Sequence, residues 1–177
     1  MGSVWEYSLR QCGPGSEEEL ALVGAASFLE AFAGFLEGED VLAHCRNQHS
    51  VEKYTAMLAD RETRACLAEV KDAPVGYALL CKPDMPMPAT PGDIELKRIY
   101  LLHRFQGSGI GAALMDWSVE TALSLGKRRL LLGVNAENDQ AVAFYLRHGF
   151  DHAGTRKFQV GNTLCSDFIL ARKLGIS

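Results

Sequence analysis

The chain has no C-x-x-C pair, no H-E-x-x-H string and no histidine cluster at metal-ligand spacing. Its five cysteines and five histidines lie scattered along 177 residues, so no metal site is assigned. Unpaired cysteines read as reduced thiols, and with no signal-type leader the expected location is cytoplasmic. No apolar run reaches the ~18 residues that a membrane-spanning helix needs, so no membrane partner is expected. Basic blocks are missing as well. Eighteen Lys and Arg against twenty-two Asp and Glu give a net charge of −4, which speaks against nucleic acid as a partner. There is no internal repeat and no low-complexity segment. What remains is 47% hydrophobic and 23% charged residues, a globular balance at the size of one domain spanning 1–177.

The most informative stretch runs from Ile94 to Trp117. Its first part has the composition of a strand. From Gly107 on, Ile110, Ala113, Leu114, Trp117 and Thr121 fall on one helical face. The joint, Gly107-Ser108-Gly109-Ile110-Gly111, aims free backbone N–H groups and the positive end of the helix at one point. That is an anion site suited to phosphate. In the strand, Ile94 and Leu96 share one parity while Ile99 and Leu101 share the other. A period of two changes phase only through an extra residue, which predicts a β-bulge near Lys97 and Arg98. The run 107–112 satisfies G-x-G-x-x-G/A, yet no acidic residue follows at the ribose-binding distance, and Ala112 stands where a G-K-[ST] phosphate loop needs Lys.

Around this centre the elements read in order. An opening strand is predicted over Val4–Gln11. A helix follows from a Ser16/Glu19 capping box to about Phe35. Glu37-Gly38-Glu39-Asp40 reads either as a solvated helix start, with Asp40 capping a Val41–Cys45 turn, or as a wall for a cationic substrate. Ser50 opens a short helix to Ala59. Strands Thr63–Val70 and Val75–Lys82 flank a Lys71–Pro74 turn, and the prolines at 83, 86, 88 and 91 mark an extended loop. Gly126 ends the central helix in a left-handed cap. Arg129–Asn135 is a buried strand parallel to 94–102, Asn138–Arg147 a helix, and Asp151–Val160 with Thr163–Arg172 a hairpin turning on Gly161-Asn162.

Two strings carry a family resemblance. Arg104-Phe105-Gln106-Gly107-Ser108-Gly109 matches the Q/R-x-x-G-x-G/A signature of the GCN5-related N-acetyltransferases (GNATs). Asn138 to Phe150 resembles that family's N-x-x-A-x-x-F-Y-x-x-x-G-F. The resemblance implies an α/β (α+β) acyl-CoA N-acyltransferase fold. Its sheet would be mixed, mostly antiparallel and six- to seven-stranded, with helices on both faces and a splayed β4/β5 pair. It also implies acetyl-CoA as cofactor. Backbone at Ile99, Tyr100 and Leu101 would then hold the pantetheine arm. Arg104, Gln106, Gly107, Ser108, Gly109, Ile110, Gly111 and Ala112 would take the pyrophosphate, and Asn138 and Tyr145 would lie near the sulfur.

In that family a tyrosine placed like Tyr145 protonates the leaving thiolate. A phenol near pKa ~10 can do so while itself staying protonated at neutral pH. Glu95 resembles the position of a carboxylate that deprotonates the amine through water. Gly133 departs from members acting on protein N-termini, which carry Glu there. Phe28-Leu29-Glu30-Ala31-Phe32, Glu95–Tyr100 and Ser166–Ala171 resemble bacterial PaiA-type polyamine acetyltransferases, implying spermidine or spermine. Glu30, Phe32, Glu37 and Asp40 would then line the amine's site. The alternatives are a protein N-terminal, lysine or aminoglycoside acceptor, or a non-catalytic acyl-CoA sensor, which the presence of Tyr145 disfavours. Relatives imply a possible homodimer.

Overall fold

The computed structural model describes residues 5–175. Seven strands form one sheet in the order β1-β2-β3-β4-β5-β7-β6. They are β1 Ser8–Cys12, β2 Arg64–Val70, β3 Ala73–Cys81, β4 Asp93–Leu101, β5 Arg129–Asn135, β6 Asp151–Val160 and β7 Thr163–Lys173. The helices are α1 Glu17–Phe32, α2 Gly38–Gln48, α3 Val51–Ala59, α4 Ile110–Ser124 and α5 Asp139–Arg147. Every strand pairing is antiparallel except β4 with β5.

Alternation in the strands sorts side chains to two faces. Cys66, Ala68, Ala78, Leu80, Ile94 and Leu96 pack under α4, against Ile110, Leu114 and Met115. Ala65, Leu67, Tyr77 and Leu79 point the other way, against Leu20 and Val23 of α1 and Tyr54 of α3. Gly126 closes α4 at φ +71°, with the Lys127 amide donating to the Ala122 carbonyl at 3.0 Å, as its left-handed cap requires. Ser50 opens α3 by accepting from the Lys53 amide at 3.1 Å.

Several expectations need correction. Ser16 precedes α1, but its side chain makes no capping bond. Arg10 takes over both partners, bonding Glu19 at 2.7 Å and reaching Ser16 Oγ at 3.5 Å, so an ion pair displaces the capping box. Helix α1 stops at Phe32, before Gly34 at φ +82°. Helix α2 is longer than predicted and holds Asp40 inside its first turn, so Asp40 is not its cap. The β2–β3 turn is only Lys71 and Asp72, both at positive φ, and Pro74 sits in the strand beside a register shift at Ala68/Glu69. Of the predicted opening strand, Val4 lies outside the described residues, and pairing starts at Ser8.

Candidate functional site

Strands β4 and β5 pair only over Asp93–Glu95 with Arg129–Leu131, and then part. The closed end is clamped: Asp93 accepts from Arg129 Nε at 2.8 Å, Arg129 Nη2 at 2.7 Å and the Thr90 amide at 2.7 Å. The open edge begins at the bulge. Leu79 faces Arg98 and Leu80 faces Leu96, which leaves Lys97 as the extra residue. From there Ile99 and Leu101 turn toward α4, while Tyr100 joins the opposite cluster. The bulge stands where the parity of the apolar residues put it.

One side of the gap is a slot of about 460 Å³, lined by Ile99, Leu101, Gln106, Gly107, Gly109 and Gly111 among others. Gly107 and Gly109 sit at φ +72° and +89°, a conformation favouring glycine, and neither has an atom within 4 Å of where a Cβ would be. The first α4 backbone bond runs from the Ala113 amide to the Gly109 carbonyl, so the amides of Ile110, Gly111 and Ala112 precede any helical acceptor. This cradle of open glycines and free amides fits a pyrophosphate. Ser108 turns its hydroxyl to the Phe105 carbonyl, Gln106 donates to the Leu101 carbonyl at 3.3 Å, and Ile110 is buried in the core. Arg104 stands apart from the slot, with its guanidinium 5.2 Å from the centre of the Trp5 ring.

The other side is a cavity of about 590 Å³ between the sheet and the α1–α2 pair. Slot and cavity share Ile99, Tyr100, Leu101, Asn138 and Tyr145, so these residues stand where the two spaces meet. Asn138 caps α5 by accepting from the Ala141 amide through Oδ1 at 3.1 Å. Tyr145 is half-buried, and burial, with Tyr100 adding, holds its phenol well above the ordinary value.

The acidic candidates separate. Glu30 lines the cavity, where its carboxylate accepts from the His103 amide at 2.7 Å. Phe32 lines it too, its ring centre 4.4 Å from that of Phe28. Glu37 is exposed outside it. Asp40 is buried and fully engaged, accepting from the Asn162 amide at 3.0 Å and from Thr163 Oγ1 at 2.7 Å, so it ties α2 to the β6–β7 turn rather than facing a substrate. Glu95 is also buried; it accepts from the Asp84 amide at 2.8 Å and has Lys97 Nζ at 3.6 Å.

Sequence reasoning passed over the cationic side of this cavity. Arg98, His44, His49 and Arg156 all line it. Burial, with the Arg98 charge adding, pushes His44 down to about 4 and His49 down to about 3, so both are neutral at pH 7. Arg156 pairs with Asp167 at 3.2 Å and lies over Gly133, where any Cβ would collide with its guanidinium. Arg98 was legible, because the parity switch that gives the bulge also turns residue 98 to this face. Arg156 and Asp167 are cross-strand partners that no local motif announces.

Comparison with known proteins follows the same lines. Residues 23–150 match the Acetyltransferase (GNAT) family. An uncharacterized N-acetyltransferase of Mycobacterium bovis is 33% identical over 157 residues, covering 89% of this chain and 97% of its own. Among solved structures, the PaiA N-acetyltransferase of Thermoplasma acidophilum in complex with coenzyme A superposes with a TM-score of 0.78 at 22% identity, covering 95% of this chain and 99% of its own. A ribosomal-protein-alanine N-acetyltransferase of Brucella melitensis gives 0.73 at 22% identity, covering 94% and 99%. Both structures are likenesses of fold.

Proposed function

The chain belongs to the GNAT family of acetyltransferases, and on that footing we propose that it acetylates the primary amine of a small molecule, with residues 1–177 acting as one catalytic unit. The observation that carries the reading is the junction at which a phosphate-cradling slot and a separate cavity meet at Tyr145.

Acetyl-CoA, the family's cofactor, supplies an acetyl thioester whose carbonyl carbon is open to an amine. The amides of Ile110, Gly111 and Ala112 hold the pyrophosphate at the positive end of α4. The unpaired edge of β4 from Ile99 to Leu101 offers N–H and C=O groups to an extended, amide-containing arm, and the Asn138 side-chain N–H₂, without a partner among the described residues, is available to the same arm. Tyr145 gives its proton to the departing thiolate. A phenol held high by burial stays protonated at neutral pH and is available for that step. Glu95 stands at the last paired residue before the strands part, which supports it as the amine's base through water. Its carboxylate is buried, engaged by the Asp84 amide and outside the cavity lining, which speaks against that role.

A polyamine acceptor is the finer reading. It is supported by the local strings around Glu30 and Glu95 and by the fold shared with a PaiA protein. The charges give it little help, since of Glu30, Glu37, Asp40 and Glu95 only Glu30 lines the cavity. A thiol-release assay with acetyl-CoA, across spermidine, spermine, lysine, amino acids, short peptides and an aminoglycoside, tests both levels. Release with at least one amine is expected. Tight coenzyme A binding with no release above hydrolysis for any amine would replace the enzyme with a sensor.

A further inference from the structure

Arg98 is only 8% exposed, and its Nη1 is buried without a hydrogen-bond partner among the described residues. No carboxylate of the described residues lies within ion-pair distance of it, whereas Arg10, Lys97, Lys127, Arg129 and Arg156 each have one. A buried guanidinium left without a counter-charge is strongly unfavourable, so such a group is expected to meet an anion when the protein works. The surroundings supply none. Arg98 lies over the Tyr54 ring at 5.0 Å, and the Tyr54 hydroxyl, which meets His49 Nδ1 at 3.0 Å and donates to Tyr77 Oη at 3.0 Å, is a neutral neighbour of the guanidinium and not a counter-charge. Burial raises the Tyr54 phenol, which therefore stays neutral, and His44 and His49 are neutral as described.

Position says which ligand that anion belongs to. Arg98 lines the larger cavity and not the slot under the glycine turn, so the cofactor's phosphates are not its partner. The bulge at Lys97 aims it there. Without the extra residue, position 98 would share the face of Ile94 and Leu96 and point into the core beneath α4. Of the other ionic groups on the cavity wall, Arg156 has Asp167, Lys97 has Glu95 and Glu30 has the His103 amide, while Lys53 is half-exposed to solvent and so, unlike Arg98, is not a buried charge.

We propose that the amine acceptor carries an oxyanionic group of its own, a carboxylate above all, and that Arg98 binds it while the amine end faces Tyr145. The proposal rests on the acetyltransferase reading and names its substrate class: amino-acid-type amines rather than polyamines. A planar guanidinium matches a carboxylate with two parallel hydrogen bonds, which also fixes where the amine end points.

The test compares matched acceptors: α-amino acids and ω-amino acids of three to six carbons, each beside its carboxamide, with aminoalkylphosphonates and spermidine as further arms. For wild type, kcat/KM is expected to favour the best carboxylate over its carboxamide by tenfold or more. In Arg98→Met that ratio should collapse at least tenfold, while Arg98→Lys keeps part of it. A residue that merely props Tyr54 would lower both members of a pair together and leave the ratio unchanged. Melting of each variant checks that it folds. Phosphonates outrunning carboxylates would identify phosphate-type acceptors on the same guanidinium. A preference for spermidine or carboxamides, or an unchanged ratio in Arg98→Met, overturns the proposal. Calorimetry of the same pairs with coenzyme A present separates the two levels. Carboxylate-selective binding lost in Arg98→Met, without turnover of any amine, would sustain the anion site and remove the transferase reading, and no selectivity in binding or turnover would remove the site.

Discussion

Replacing Asp93 with asparagine tests whether charge holds the two parting strands together at their closed end. The Asp93 carboxylate is 3% exposed and takes three hydrogen bonds, two from Arg129 and one from the Thr90 amide that folds the proline loop back onto β4. An asparagine there would keep the shape but present an N–H₂ donor to one of those donors. Breaking a buried pair costs about 3–5 kcal/mol, whereas an exposed pair contributes about 0–1 kcal/mol. The Arg129 side chain is 31% exposed, so solvent screens part of the interaction. The expected loss is therefore about 2–3 kcal/mol, or a fall in Tm of about 5–10 °C for a chain of this size. Arg129 holds the carboxyl below its ordinary range, so the group's contribution is present above the unfolded pKa of about 3.9 and is lost as pH falls through the folded value. Urea unfolding of wild type and Asp93→Asn, followed by circular dichroism from pH 7 to pH 3, reads both quantities. The gap should be constant above about pH 5 and should shrink below about pH 4. A gap under about 0.5 kcal/mol at pH 7, or one undiminished at pH 3, would refute the clamp.

Tyr145→Phe should lower turnover about tenfold or more while calorimetry shows coenzyme A binding nearly unchanged; equal turnover would remove its acid role. Gly109→Ala should cost about 1–2 kcal/mol of backbone strain at its left-handed φ yet leave measurable coenzyme A binding. Gly109→Glu should abolish that binding by setting a negative charge among the phosphate-facing amides, and tight binding to it would relocate the pyrophosphate. Gly133→Ala puts a methyl group against the Arg156 guanidinium, the end of a flexible side chain, and should cost about 0.5–1 kcal/mol in thermal melts by pushing it off Asp167. An unchanged Tm would mean that the guanidinium moves aside freely.

Local patterns made most of this fold legible. Apolar period set the strands and helices, glycine and proline set the breaks, and two phases of alternation in one strand set the bulge. Failures fall where a distant residue competes for a local one. Ser16 and Glu19 have the spacing of a capping box, but Arg10 arrives from β1 and claims both. Asp40 reads as a cap or a free acid, and the β6–β7 turn, over a hundred residues away, absorbs its carboxylate. The slot under the glycine turn was readable because it is built mostly from backbone, whose conformation glycines announce. The larger cavity is built from side chains of α1, α2, β4, β5 and β6, and no single segment carries its chemistry.

The two sides nevertheless depend on one residue. Lys97 is the extra member of β4, and its insertion has two consequences that cannot be separated. It carries β4 away from β5, so that backbone groups from Ile99 onward have no strand partner on that edge and are left to water or a ligand. It also reverses the facing of every later residue in the strand, sending Ile99 and Leu101 toward α4 and Arg98 and Tyr100 into the larger cavity. A regular β4 would bury the Arg98 guanidinium beneath α4, where a charge is least tolerable, and would close the slot with a continuous ladder. The strand is therefore consistent with its own sequence only when bulged. Opening the slot and turning the Arg98 guanidinium into the larger cavity are one structural event, so a change that straightens β4 must damage both at once.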